Sequence, residues 1–94
     1  ARMDHVTSLA PAQAAAAIAA QARSEGASLM AGDEMFGTWL ARTRVMGYPD
    51  FVSLRLSPEA GGTRVVAFSR SRFGYSDQGV NRARLRRWIG RLPD

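Results

Sequence analysis

Cysteine is absent from the 94 residues, which removes disulfides, thiolate nucleophiles and every cysteine-ligated zinc or iron–sulfur site. Lysine is absent too. All thirteen basic residues are arginine, so neither a lysine base nor the lysine of a phosphate-binding loop is at hand. Histidine occurs once, at His5, and a Ser-His-Asp triad or multi-histidine metal site would hang on that residue near an end expected to fray. No metal site and no cofactor is therefore expected. No run approaches the roughly 18–20 apolar residues that span a bilayer. The longest weakly polar stretch, 11–22, is mostly alanine and lacks the hydrophobicity and cleavage context of a secretory signal. The chain opens on Ala1 rather than methionine, which reads as a processed or truncated start and leaves a removed signal or membrane anchor open.

What is present is a basic chain of the length of one domain, 1–94, with formal net charge +5. A chain this short buries roughly 60–65% of its unfolded surface, so its core must be built economically. Sixteen alanines beside an arginine-only basic set point to a GC-rich coding bias. The distribution of charge says more. Residues 1–41 carry two arginines against four acids, whereas residues 42–91 carry eleven arginines against Asp50, Glu59 and Asp77, so the positive field belongs to the second half.

Ser8 can cap a helix with Pro11 in its first turn, and Gly26 is placed to end it after Glu25; a helix over about 9–25 follows. Its buried stripe would be Ala14 or Ala15, Ile18 and Ala22, small enough to lie close on a sheet. From Phe36 to Arg72 the period changes to two, which predicts strands over about 38–45, 51–57 and 63–70, with a further short one near 28–31. Gly47-Tyr48-Pro49-Asp50 makes the first connection and 58–62 the second. Val52, Leu54 and Leu56 share a face, onto which Val66 and Phe68 are also placed. Leu85, Trp88, Ile89 and Leu92 then recur at helical spacing, which predicts a helix over about 80–92, capped by Asn81 or Asp77 and ended by Pro93. Arg84, Arg87 and Arg91 form its opposite, basic face, flanked by Arg82 and Arg86. The expected fold is α+β: a small antiparallel sheet of three to four strands, about 28–72, with an N-terminal and a C-terminal helix on one face.

Residues 69–84 read Ser-Arg-Ser-Arg-Phe-Gly-Tyr-Ser-Asp-Gln-Gly-Val-Asn-Arg-Ala-Arg, from a strand end through a glycine-bearing turn into a helix. With residues 47–52 upstream and Trp88 downstream, the string resembles the bacterial and plastid family catalogued as domain of unknown function 1499. The resemblance covers about 36–92. Gln78 stands where an apolar residue is expected, and the segment before Phe36 is too alanine-rich to match. The resemblance implies no activity; its members are often attached to membrane segments or export signals, which leans this chain toward the cell envelope.

Arg70 and Arg72 lie two apart on a strand and share a face, and the turn after them leads to a helix N-terminus. With Ser76, Asp77, Asn81 and Arg82 they make a candidate anion or partner site. The alternative is structural: Arg70 or Arg72 pairs with Asp50 or Asp77, while Gly74 and Gly79 supply turn geometry. Catalysis is not expected, because Asp50, Asp77, Tyr48, Tyr75 and the serines at 69, 71 and 76 have no histidine or lysine to activate them, and arginine neighbours lower a carboxylate's pKa. Nonspecific nucleic-acid binding is a second alternative: the net charge and the arginine-bearing helix fit it, but it is the less expected partner for want of aromatic and basic residues interleaved on an exposed sheet face. The expectation is a non-catalytic interaction domain, an accessory piece of an envelope-associated assembly. Its partner would be an acidic protein face or an anionic membrane surface.

Overall fold

The computed structural model describes residues 1–42, 49–71 and 78–94. Along them run β1 (Arg2–Thr7), α1 (Pro11–Ser24), β2 (Ser28–Gly32), β3 (Phe36–Arg42), β4 (Pro49–Glu59), β5 (Gly62–Ser71) and α2 (Gln78–Trp88). The strands form one antiparallel sheet in the order β1-β5-β4-β3-β2. The expected sheet of three to four strands beginning near 28 is thereby corrected: it has five described strands, and the first element is a strand, not a helix. β1 reads as a frayed end in sequence because its outward residues, Arg2, Asp4 and Val6, meet water and only Met3, His5 and Thr7 face inward, which leaves a weak apolar alternation. Pairing with β5 orders it from Arg2↔Phe68 to Thr7↔Thr63.

β1 and β2 lie at opposite edges, so α1 must cross the sheet to join them. Its 14 residues extend about 21 Å at 1.5 Å per residue. Four strand spacings come to about 19 Å, so the helix is just long enough. Ala14, Ala15, Ile18, Ala19 and Ala22 form its buried face, and methyl side chains let the backbone approach the strands. The N-cap is Ala10 rather than Ser8; in place of a capping hydroxyl, the Ala10 N–H donates to Gln13 Oε1 at 3.3 Å. At the other end Gly26, at φ 82°, lets its own N–H reach Arg23 O and the Ala27 N–H reach Ala22 O, each at 3.0 Å. That pair of bonds closes a Schellman motif, which needs the left-handed residue that glycine supplies without strain.

Only two residues, Ala60 and Gly61 (φ 78°), separate the last β4–β5 pair, Glu59↔Gly62. So short a loop fixes the parity of the whole hairpin. Asp50, Val52, Leu54 and Leu56 consequently share the helix-covered face with Ser69, Ala67 and Val65, while Val66 and Phe68 fall on the other face. This corrects the expected placement of Val66 and Phe68 beside Val52, by the one-residue slip that reverses every side chain. On the covered face Trp39 and Trp88 meet edge to face with centroids 6.1 Å apart, amid Ile18, Val52, Val65, Leu85 and Ile89. The C-terminal helix runs Gln78–Trp88 instead of 80–92, which puts Asn81 inside it and not at its cap. It ends well before Pro93, although Leu92 still reaches the core. The expected strand residues 43–45 and the turn residues Gly47 and Tyr48 lie outside the described residues.

Candidate functional site

Two places collect polar side chains: a buried corner behind the starts of β4 and α2, and the face of the sheet that no helix covers. At the corner, Arg84 donates through Nη1 to Asp50 Oδ2 at 3.0 Å and to Asn81 Oδ1 at 2.7 Å, and the Ser69 hydroxyl donates to the same Asn81 oxygen at 2.5 Å. The Arg84 and Asp50 side chains are each 4% exposed. Arg84 was expected on the basic outer face of the helix. The helical projection explains the correction: four residues advance about 400°, which leaves Arg84 only about 40° from buried Trp88 and inside the packed arc. Asp50 does pair with an arginine, as the structural alternative required, but the partner is Arg84.

The other expected site residues are described only in part. Arg70 is exposed on the uncovered face, whereas Asn81 reaches Ser69 from the covered one, so the described residues do not bring Arg70 to the start of α2. Arg72, Ser76 and Asp77 lie outside the described residues, as do Gly74 and Tyr75. Arg82 and Arg91 are exposed. Arg87 is engaged: its guanidinium makes two 2.8 Å bonds to the Glu25 carboxylate, tying α2 to the end of α1. That arginine, aided by Gln21, holds the Glu25 pKa at about 2 against burial, which pushes the other way. The Trp88 indole N–H is buried and meets no described acceptor in hydrogen-bond geometry. His5 is structural: a carbonyl can only accept, so its Nε2–H donates to Leu92 O at 3.2 Å. Beside it the Thr7 hydroxyl and the Ser8 N–H both donate to Pro93 O, and together they fasten the C-terminal segment to β1.

The uncovered face is where sequence reasoning missed the most. It carries Phe36, Phe51 and Phe68, which are all the phenylalanines of the described residues, and Phe36 and Phe68 are 67% and 50% exposed. Each stands directly across a strand pair from an arginine: Phe68 from Arg2, Phe51 from Arg70, Phe36 from Arg55. The Arg2 guanidinium lies 5.1 Å from the Phe68 ring centre and that of Arg55 5.6 Å from the Phe36 ring. Arg2 is also paired with Asp4 and Arg64 with Glu59. Arg55 and Arg70 have no carboxylate partner among the described residues. Aromatic and basic residues are thus interleaved on an exposed sheet face, contrary to the expectation. The signal available was parity: once the two-residue turn at 60–61 is recognised, Phe68 and Phe51 must both point away from Val52.

A family model described as protein of unknown function (DUF1499) matches residues 3–92. The chain belongs to the DUF1499 family. The match includes β1 and the alanine-rich α1, so the segment before Phe36 is part of the family pattern after all. No curated protein and no solved structure matches this DUF1499 chain. Among its described residues no group of three or more His, Cys, Asp or Glu side chains could hold a metal ion, and no helix is long and apolar enough to cross a membrane.

Proposed function

We propose that this DUF1499 chain is a non-catalytic interaction domain that engages its partner through the uncovered face of the sheet, not through α2. The observation that carries the reading is the placement of Phe36, Phe51 and Phe68, each opposite an arginine, on the sheet face that neither described helix covers. A small domain short of apolar bulk would be more stable with such rings in its core, where alanine instead fills much of the covered side. Exposed aromatic rings interleaved with cations are the composition of a binding surface. The basic helix face expected from sequence supports the reading less, because Arg84 is buried and Arg87 is held by Glu25. A setting at the cell envelope, which the family resemblance implies, belongs to the same proposal.

Site-specific photo-crosslinking in cells tests which surface is used. Benzoylphenylalanine replacing Phe36 or Phe68 should give discrete adducts, and the same residue replacing Arg82 or Arg86 should give none. Adducts confined to the helix positions, or none from the sheet positions, would overturn the proposal.

A further inference from the structure

We infer that the uncovered sheet face binds single-stranded nucleic acid, its phenylalanines stacking on bases while Arg55 and Arg70 contact the phosphates. The inference rests on the proposed use of that face and names the partner. Each nucleotide of a single strand offers one flat ring system and one negative charge, and the face repeats the complementary unit three times, as an aromatic ring with a guanidinium directly across the ladder. Phe51 and Phe68 sit on adjacent strands one same-face step apart, a diagonal of about 7–8 Å. Phe36 is two strands and one step from Phe68, which places it about 12 Å away. Phe36 and Phe51 are one strand and two same-face steps apart, about 14 Å, so the rings form a triangle with Phe68 between them, and a strand bending at Phe68 could lay a neighbouring base on Phe51 and a next-but-one base on Phe36.

The alternatives fit the same residues less well. A bilayer would take up the phenylalanines only by drawing their arginines toward hydrocarbon, since Arg2 and Arg55 lie within 6 Å of the rings they stack on. The cations are interleaved with the apolar groups, not ringed around them. A second copy of the chain would bring Arg55 and Arg70, which have no carboxylate partner among the described residues, against those of the other face, where the described acids Asp4 and Glu59 are already paired. Duplex DNA hides the faces of its bases, and a broad sheet offers nothing of a shape to enter the major groove. An unstacked strand is the polyanion that needs both halves of the surface.

The test is fluorescence anisotropy with labelled oligothymidylate and oligouridylate of about 15 nucleotides, a length within single-strand site sizes, beside a duplex of equal length. The wild-type chain should bind both single strands in preference to the duplex. Phe68→Leu or Phe36→Leu, which keep apolar area but lose the ring, should each weaken binding about 5- to 100-fold without changing the salt slope. Arg55→Gln with Arg70→Gln should flatten the slope of log affinity against log salt by about 1.4, at about 0.7 per phosphate contact. The same double exchange at Arg82 and Arg86 should leave it unaltered, and thermal melts confirm that each variant folds. Equal losses from both arginine pairs, unaltered binding by the leucine variants, or a preference for duplex would overturn the inference. So would binding to phosphatidylglycerol vesicles without binding to oligonucleotide, although that result would leave the open face as the interaction surface. The absence of sheet-face adducts in cells would instead defeat the underlying proposal.

Discussion

Removing one member of the Asp50–Arg84 pair should be among the most damaging single changes available to this fold. At 3.0 Å and an effective dielectric constant of about 20, the gross attraction is about 5–6 kcal/mol. Desolvation of each ion, itself several kcal/mol, consumes most of it, so the intact pair adds little net stability. The asymmetry appears when one partner goes. In Asp50→Leu the Arg84 guanidinium, 4% exposed, keeps its desolvation cost and retains, among the described residues, the neutral Asn81 oxygen, which should destabilise by about 3–5 kcal/mol. Against a total of about 5–14 kcal/mol for a domain of this length, that is about a fifth or more. Arg84→Met should cost a comparable amount by stranding the Asp50 carboxylate. The double variant Asp50→Leu with Arg84→Met removes both charges and should come within about 2 kcal/mol of wild type, so the cycle should show a coupling above about 2 kcal/mol. Urea denaturation of all four proteins, compared at a common m value, measures it. Single variants that lose less than about 1 kcal/mol, or losses that simply add, would show that water reaches the pair and that the corner is not dry.

Trp88→Ala should destabilise by about 3–5 kcal/mol, because Trp88 is 2% exposed and its ring closes on Trp39, leaving a cavity that a short chain cannot collapse; a denaturation midpoint equal to wild type would refute the packing. The Glu25–Arg87 bridge predicts a pH dependence: with the folded pKa at about 2 against 4.5 for the free group, its contribution is complete above pH 4.5 and lost as pH falls toward 2. Solvent at this partly exposed pair reduces the effect to about 1 kcal/mol. Glu25→Gln should remove that part of the acid slope, and an acid titration of stability identical to wild type would count against the bridge.

Legibility in the sequence followed the strength of the local period. β4 announces itself through Val52, Leu54 and Leu56 set against Phe51, Ser53 and Arg55, and α1 through its proline start and glycine stop, since Pro11 and Gly26 act through backbone geometry that no distant contact has to supply. β1 is an edge strand whose inward residues are Met3, His5 and Thr7, and what orders it is nonlocal: the ladder with β5 and the bonds from His5, Thr7 and Ser8 to the C-terminal segment. Arg84 was misplaced for a different reason. A cation at the border of an apolar helical stripe can point either way, and what turns it inward is Asp50, which lies 34 residues away and only becomes its neighbour when β4 and α2 pack.

The same reasoning explains why the candidate site was hidden although all its residues were in view. Phe51 and Phe68 each look like core residues when taken singly, because a phenylalanine in a short chain is expected to be buried. Their placement on a common face depends on one feature, the two-residue connection at 60–61, which pairs even positions of β4 with odd positions of β5 and so places residues 51 and 68 on one face and 52 and 65 on the other. One more residue in that loop would have turned Phe68 toward Val52 and left the outward face of β5 to Ala67 and Ser69. The aromatic–basic face thus depends on hairpin length. If it serves no partner, the fold is carrying two exposed rings, Phe36 and Phe68, and a half-buried one, Phe51, that its alanine-filled core could have used.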